Sequence, residues 1–139
     1  MAGYSGTPLA KKLGIKDGLR FALVNAPRGF NELRMQKGRV SLDKDSDEVD
    51  LILLFAKTRL ALAKDFARLA SRLKPAGMLW VAWPKKASGV KTDLSFDVVQ
   101  KTGLAAGLVD TKICAVDEVW SGLKFVIRLK DRASRVPSK

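Results

Sequence analysis

The apolar residues of this chain gather into short continuous runs that have the length of β-strands. Three of these runs lie in the first two-thirds of the sequence: 20–25, 49–55 and 78–83. Runs with so few polar residues are typical of strands that helices cover on both faces, as in a parallel sheet. Near the end, 108–116 and 123–129 form two further runs with a short Ser-Gly turn between them. That combination predicts an antiparallel hairpin.

Helical spacing appears between these runs. After the second run, apolar residues recur on one helix face at steps of four, three and four: Leu62, Phe66, Leu69 and Leu73. We predict a helix over 57–74, ended by a Pro-Ala-Gly segment. A short helix with Thr7 as its cap opens the chain, and Thr92 caps a later helix that runs to about residue 106.

Two shorter elements stand between the first and the second strand. Residues 30–36 have the spacing of one or two helical turns, and 39–42 predict a brief additional strand. Residues 43–50 are rich in aspartate, so we predict a solvated acidic loop there.

Strands that alternate with helices predict an α/β fold of three layers. In it, a mostly parallel, Rossmann-like sheet ends in an antiparallel hairpin. We assign a single domain to 1–129. The remaining segment, 130–139, is short, polar and basic, which predicts a flexible C-terminal tail.

The composition removes several kinds of chemistry. The 139 residues include no histidine and one cysteine, Cys114, which excludes histidine triads, histidine-ligated zinc and an internal disulfide. We expect no metal site. The chain has neither a secretory signal nor an apolar run of the ~18 residues that a membrane helix needs, so we expect a cytoplasmic location. Lysine and arginine number 26 against 14 acidic residues, a formal charge of +12, and such a balance favours anionic partners.

Ligands of open α/β sheets bind beyond the carboxyl ends of the strands. The candidate ligand-binding residues at those ends are Asn25, Arg28, Lys57, Arg59, Trp83, Lys85, Lys86, Ser88, Lys91, Asp117, Glu118 and Trp120. Cations predominate among them. The expected occupant is therefore an anionic small molecule that bears phosphate or carboxylate.

The Trp-Pro-Lys-Lys loop is the most suggestive of these segments. Lys85 and Lys86 precede Ser88 and a predicted helix N-terminus, and helix N-termini attract anions. The pattern of a P-loop is absent. The structural alternative is a solvated loop whose lysines pair with Asp117 and Glu118.

No cofactor is expected from the sequence. Nucleotide-type cofactors require glycines after the first strand, because the backbone must approach the ligand closely. Here residues 25–29 are Asn-Ala-Pro-Arg-Gly, with a single late glycine. Asp43 stands where a ribose-binding carboxylate would be needed, and the acidic loop explains it more simply.

Several segments resemble known families. Residues 73–81 (LKPAGMLWV), the turn at 15–18 and the closing hairpin resemble class I S-adenosylmethionine-dependent methyltransferases, of which this chain would be a trimmed version. A family of small bacterial proteins of unknown function shows a closer resemblance, carried by 1–9 (MAGYSGTPL), 79–86 (LWVAWPKK) and 115–122 (AVDEVWSG). The first resemblance implies a methyltransferase-like fold. The second implies a bacterial source and brings no activity or catalytic residue.

Three functions agree with these observations. The main expectation is a non-catalytic binding module for an anionic small molecule at the strand ends. One alternative is a reduced S-adenosylmethionine-dependent methyltransferase-like enzyme, with Asp117 or Glu118 as the acid–base candidates. The other is a nucleic-acid accessory protein that uses its basic surface. No catalytic constellation is recognisable, so we lean against an enzyme. An exposed edge strand beyond the hairpin leaves a homodimer as a further alternative.

Overall fold

The computed structural model describes residues 8–42 and 48–133. Its strands, in chain order, are β1 Phe21–Val24, β2 Val49–Phe55, β3 Leu73–Pro84, β4 Leu108–Ala115 and β5 Trp120–Ile127. Its α-helices are α1 Leu9–Leu13, α2 Arg59–Ala70, α3 Phe96–Ala105 and α4 Leu129–Arg132, with a 3-10 turn at Lys86–Ser88. Strands and helices alternate, which confirms the predicted α/β class.

The five described strands form one sheet in the order β1-β2-β3-β5-β4. Strands β1, β2 and β3 pair in parallel, whereas β5 runs antiparallel to both β3 and β4. The mostly parallel, Rossmann-like sheet with a closing hairpin is therefore confirmed. The second strand of the hairpin enters between β3 and β4, so β4 lies at the edge of the sheet. The pattern of a hairpin does not reveal which of its strands joins the rest of a sheet.

The order in which the chain crosses the sheet reverses at β1. Phe21 pairs with Leu51 of β2 on one side and forms an isolated parallel bridge with Arg39 on the other. The chain therefore leaves β1 toward one side, through the segment predicted as an additional strand, and returns on the other side as β2. This reversal makes the carboxyl ends of β1 and β2 a topological switch point, the place where open α/β sheets bind ligands.

Helices α2 and α3 cover one face of the sheet, which we call the α2–α3 face. Phe66 of α2 meets Phe125 of β5 edge-on, with ring centroids 5.2 Å apart. Gly103 of α3 lies directly over Phe125, where even a Cβ atom would stand 2.0 Å from the Phe125 ring. The absence of a side chain at Gly103 thus lets the helix approach the sheet closely.

The other face, which we call the α1 face, has a smaller cover. Leu9 and Leu13 of α1 are buried there, and the indole N–H of Trp80 donates to the carbonyl oxygen of Leu13 over 3.0 Å. Gly14 ends α1 in the left-handed conformation at φ +91°, as its position after the predicted helix suggests. The rest of the cover comes from the segment 26–38, which contributes Leu33 and Phe30.

Four predicted elements differ in the structure. The predicted strand at 39–42 keeps only the isolated bridge of Arg39 to Phe21. Helix α2 ends at Ala70, and residues 73–77, predicted as the helix end and its stop segment, belong to β3 because the first of them pairs with β2.

Residues 30–36 form consecutive turns instead of a helix, because Phe30 and Leu33 alone pack against the sheet and give no apolar stripe long enough to hold a helix. Helix α3 begins at Phe96 and not after Thr92, since Ser95 accepts the capping hydrogen bond from Val98 N–H.

Some predictions fall on residues outside the described ranges. These are the cap at Thr7, most of the acidic loop (43–47) and the tail beyond residue 133. Within the described ranges, no helix combines the length and the apolar character needed to cross a membrane.

Candidate functional site

Two clefts open at the carboxyl ends of β1 and β2, and both include Asn25 in their walls. The inner cleft, of about 380 Å³, is lined by the 25–28 loop, the end of β2, the start of α2 and Trp120. The outer cleft, of about 500 Å³, lies between β1, the segment 39–42 and α2. Both volumes are typical of small-molecule sites. Asn25 stands in the wall that separates them, and we call the two clefts together the two-part groove.

Asn25 is held in an unusual backbone conformation between the clefts. Its φ of +59° is the only positive value found for a non-glycine among the described residues. Asparagine is one of the few residues besides glycine that visits the left-handed region. The Asn25 side-chain amide donates to the carboxylate of Asp65 over 3.2 Å. Asp65, only 8% exposed, also accepts from Arg68 over 2.8 Å. This network fixes the turn that follows β1.

The inner cleft combines an aromatic wall with exposed cations. Phe55 contacts both Phe30 and Trp120 edge-on, with ring centroids 5.0 and 5.1 Å apart, so the wall is rigid. Arg28 and Lys57 line the same cleft and are exposed. The cleft can therefore contact a flat apolar group on one side and a carboxylate or phosphate on the other.

The loop between β4 and β5 is shaped by one aspartate. The carboxylate of Asp117 accepts hydrogen bonds from the backbone N–H groups of Val119 and Trp120, both at 2.8 Å. Those bonds hold Trp120 at the edge of the cleft. Glu118, in the same loop, is exposed.

Lys57 also belongs to a smaller cleft of about 340 Å³, where Lys91 is its neighbour. The hydroxyl of Thr92 donates to the carbonyl oxygen of Lys57 over 2.5 Å, and the N–H of Arg59 donates to the Asp93 carboxylate over 2.8 Å. These bonds tie the 91–93 loop to the start of α2. Lys91 is thereby brought close to the groove.

The remaining sequence-predicted residues lie elsewhere. Trp83 is buried in the core of the α2–α3 face, so it does not line the groove. Ser88 closes its own turn by donating to the carbonyl oxygen of Lys85 over 2.6 Å. Lys86 is exposed on that turn, and the side chain of Arg59 lines a groove between α2 and α3.

Apart from Asn25, the residues that line the outer cleft are not among the candidates named from the sequence. Arg39, Ser41 and Leu42 line it from the segment beside β1, and Arg68 and Leu69 from α2. The predicted strand at 39–42 was a usable signal, because the carboxyl end of any strand parallel to β1 lies at the same edge of the sheet. Within the described ranges, no group of three or more potential metal ligands occurs.

The fold is similar to that of solved S-adenosylmethionine-dependent methyltransferases. Magnesium protoporphyrin IX methyltransferase (ChlM) from Synechocystis PCC 6803, with bound S-adenosylmethionine, matches with a TM-score of 0.57 at 10% identity, over 86% of this chain and 74% of that one. A methyltransferase from Aquifex aeolicus matches with a TM-score of 0.53 at 16% identity, over 86% and 88%. Fibrillarin from Aeropyrum pernix, with natively bound S-adenosylmethionine, matches with a TM-score of 0.50 at 15% identity, over 89% and 70%.

The chain spans 56% of the length of two further matched structures, a fibrillarin from Methanococcus jannaschii and another structure of ChlM. No protein-family model matches the sequence, and neither does any curated protein. The structural matches confirm the methyltransferase-like fold. Membership of the small bacterial family of unknown function stays a prediction.

These likenesses correct the main functional expectation. The expectation of a non-catalytic binding module for an anionic small molecule is wrong, because ChlM and the Aquifex aeolicus protein, which share this fold, are methyltransferases. No glycine-rich turn follows β1. Asn25 there takes the left-handed conformation that glycine usually adopts, and its amide is hydrogen-bonded to Asp65.

Proposed function

We propose that this chain binds S-adenosylmethionine in the two-part groove and acts as a reduced methyltransferase-like domain. The observation that carries the proposal is the position of the groove. It lies at the switch point between β1 and β2, and Asn25 forms the wall that both clefts share. An elongated ligand with an adenosine half and an amino-acid half matches a groove with two compartments.

The chemistry of the lining residues fits that ligand. Val40, Leu42 and Leu69 give the outer cleft apolar surface for a purine, and the hydroxyl of Ser41 offers a partner for ribose. In the inner cleft, Arg28 and Lys57 would hold the carboxylate of the amino-acid half. Asn25 would lie between the adenosine half and the amino-acid half of the ligand, because its turn brings backbone into the wall that the two clefts share.

S-adenosylmethionine supplies an electrophilic methyl group on its sulfonium. The chain's own contribution is to orient ligand and acceptor. Asp117 is occupied by two backbone N–H groups, so its part is to hold Trp120 in place. Glu118 is the exposed carboxylate of that loop and is therefore the candidate for accepting a proton from the methyl acceptor. A cytoplasmic location remains part of the proposal.

Isothermal titration calorimetry with S-adenosylmethionine, S-adenosylhomocysteine and adenosine tests the proposal. The double variant Arg28→Gln/Lys57→Gln should bind both cofactor forms at least about tenfold more weakly, since hydrogen bonds to charged groups contribute about 1.5–3 kcal/mol. Adenosine has no carboxylate, so its affinity should not change. Lys11→Gln/Lys16→Gln, at two exposed positions that line neither cleft, removes the same charge and is the matched control. No binding of either cofactor form to the wild-type protein overturns the proposal, and so does an equal loss in the control.

A further inference from the structure

A cluster of three lysines lies on the α1 face, away from the groove. Lys112 of β4 and Lys124 of β5 are direct cross-strand partners. Lys12 of α1 donates to the carbonyl oxygen of Ala115 over 2.7 Å. Lys12 and Lys112 lie near Cys114, whose thiol has its pKa raised by burial and lowered, to a smaller extent, by these two ammonium groups. We call Lys12, Lys112 and Lys124 the lysine face.

The pairing of Lys112 with Lys124 works against folding. Like charges directly opposite each other on neighbouring strands are destabilising. The Trp80 ring, whose centroid is 5.9 Å from the Lys124 ammonium, offsets part of this repulsion through a cation–π attraction. Burial and, next, the charge of Lys112 lower the pKa of Lys124. Within the described part of the chain, neither Lys112 nor Lys124 forms an ion pair with a carboxylate. An anion placed between them would relieve this repulsion.

The lysine face is separated from the groove. Trp120, Gly122 and Lys124 alternate along β5 and therefore share one side of the sheet, and Lys124 stands four residue steps, about 13 Å, from Trp120. Between them, Val116 and the Trp80 ring cover Gly122, and all three of Val116, Trp80 and Trp120 are buried. The lysine face is therefore a second charged surface, and an anion bound there is independent of the ligand of the groove.

We propose that the lysine face binds the phosphate backbone of a nucleic acid. Lysines act as point charges on phosphates without reading sequence, and the net charge of +12 adds long-range attraction. A lipid surface is the poorer match, because lysines alone add only a weak attraction to an anionic leaflet, and tighter membrane binding uses exposed apolar side chains beside them. The exposed apolar neighbour, Ile113, pairs with Leu123, which packs on the α2–α3 face, so Ile113 is directed away from the lysine face.

Fluorescence anisotropy with a labelled single-stranded RNA, the same sequence as DNA, and a DNA duplex tests the proposal. The test variant is Lys112→Gln/Lys124→Gln. The matched control, Lys64→Gln/Lys101→Gln, removes the same charge from exposed positions on the opposite helices. Removing two phosphate contacts should lower the salt dependence, the slope of log K against log salt, by about 1.4 for single strands. It should weaken binding roughly 10- to 100-fold at 50 mM salt. The control variant should retain most of the salt dependence of the wild-type protein.

Equal slopes in the two double variants overturn the proposal, since overall charge would then explain binding. It is also overturned if none of the three nucleic acids binds, or if phosphatidylserine vesicles alone bind and lose binding in the test variant. The affinity for S-adenosylmethionine should be unchanged in the test variant. Failure of this proposal can therefore be distinguished from failure of the proposed function. The test variant removes a repulsive pair, so it is expected to fold.

The single cysteine supplies an independent readout of position. Cys114 is half-buried beside Lys12 and Lys112, and its alkylation by iodoacetamide can be followed by mass spectrometry. Saturating nucleic acid should slow that alkylation several-fold. An unchanged rate at saturation means that the nucleic acid binds elsewhere, and the proposal then fails.

Discussion

The two faces of the sheet are built differently. The α2–α3 face packs two helices of 12 and 10 residues against the strands, and its core joins Phe66, Gly103 and Phe125 in close contact. The α1 face has a helix of 5 residues and a series of turns, and it carries the half-buried Lys124. Both faces nevertheless bury an apolar core, and α2 itself lines the outer cleft. The faces differ in their cover: a short cover can bury an apolar core and still leave charged side chains at its border.

The largest expected effect lies on the α2–α3 face. Phe125 is fully buried and contacts both the Phe66 ring and α3. Replacing it by alanine should lower the free energy of unfolding by about 3–5 kcal/mol, the usual range for a buried aromatic. Urea denaturation measures the loss. A loss under about 1 kcal/mol would show that this face is not the tight core we describe.

Gly103→Ala, which adds a single methyl group, tests the same close packing of α3 on Phe125. Gly103→Ala improves helix propensity by about 1 kcal/mol, but its Cβ would collide with the Phe125 ring, and overpacking costs about 1–3 kcal/mol. We expect a net destabilisation. Ala105→Gly, in the same helix, measures the propensity effect alone. A Gly103→Ala protein more stable than the wild type in urea would contradict the close packing.

The conformation of Asn25 gives the third prediction, at the boundary between the two faces. Both Asn25→Ala and Asn25→Gly lose the hydrogen bond to Asp65, but glycine alone tolerates φ +59° without strain. Asn25→Gly should therefore be more stable than Asn25→Ala by about 1–2 kcal/mol, as measured by thermal unfolding. Equal stabilities would mean that the turn after β1 relaxes when the amide is lost.

The difference between the faces also explains what the sequence could predict. The repeated spacing of Leu62, Phe66 and Leu69 identified α2, and the apolar runs identified β2 and β3, because buried elements need a long apolar stripe. Residues 30–36 were predicted as helical, yet Phe30 and Leu33 anchor only turns. Periodicity is a weak guide where few residues are buried.

The candidate site was predicted in part for a related reason. Parallel strand ends meet at one edge, so sequence order alone could bring Asn25, Arg28, Lys57 and Trp120 to one place, and the inner cleft unites these four residues. The outer cleft depends on how far α2 reaches along the sheet, which brings Arg68 opposite Arg39. How far α2 reaches is decided by the packing of the helix on the sheet, and no local sequence pattern encodes it. The left-handed Asn25 was likewise hidden, since glycine was the residue expected to make that turn.

The smallest expected effect is the charge repulsion on the lysine face. Removing the ammonium in Lys124→Gln should raise the free energy of unfolding by about 0.2–1 kcal/mol near neutral pH, the scale of a cross-strand pair. Burial, then Lys112, lowers the pKa of Lys124 from its usual 10.5, so the unfolded chain binds the proton more tightly than the folded protein. The destabilisation is therefore fully present below the folded pKa and is lost as the pH rises through it.

The advantage of Lys124→Gln over the wild type should accordingly shrink as the pH rises from about 7 toward 10.5. Thermal unfolding of both proteins across that range measures it. The control is Lys101→Gln on α3, an exposed lysine whose replacement lowers the net charge equally. If the control shows the same gain and the same decline with pH, the effect belongs to the net charge of +12 and not to the lysine face. A gain confined to Lys124→Gln would identify the α1 face as the place where the protein retains a destabilising charge.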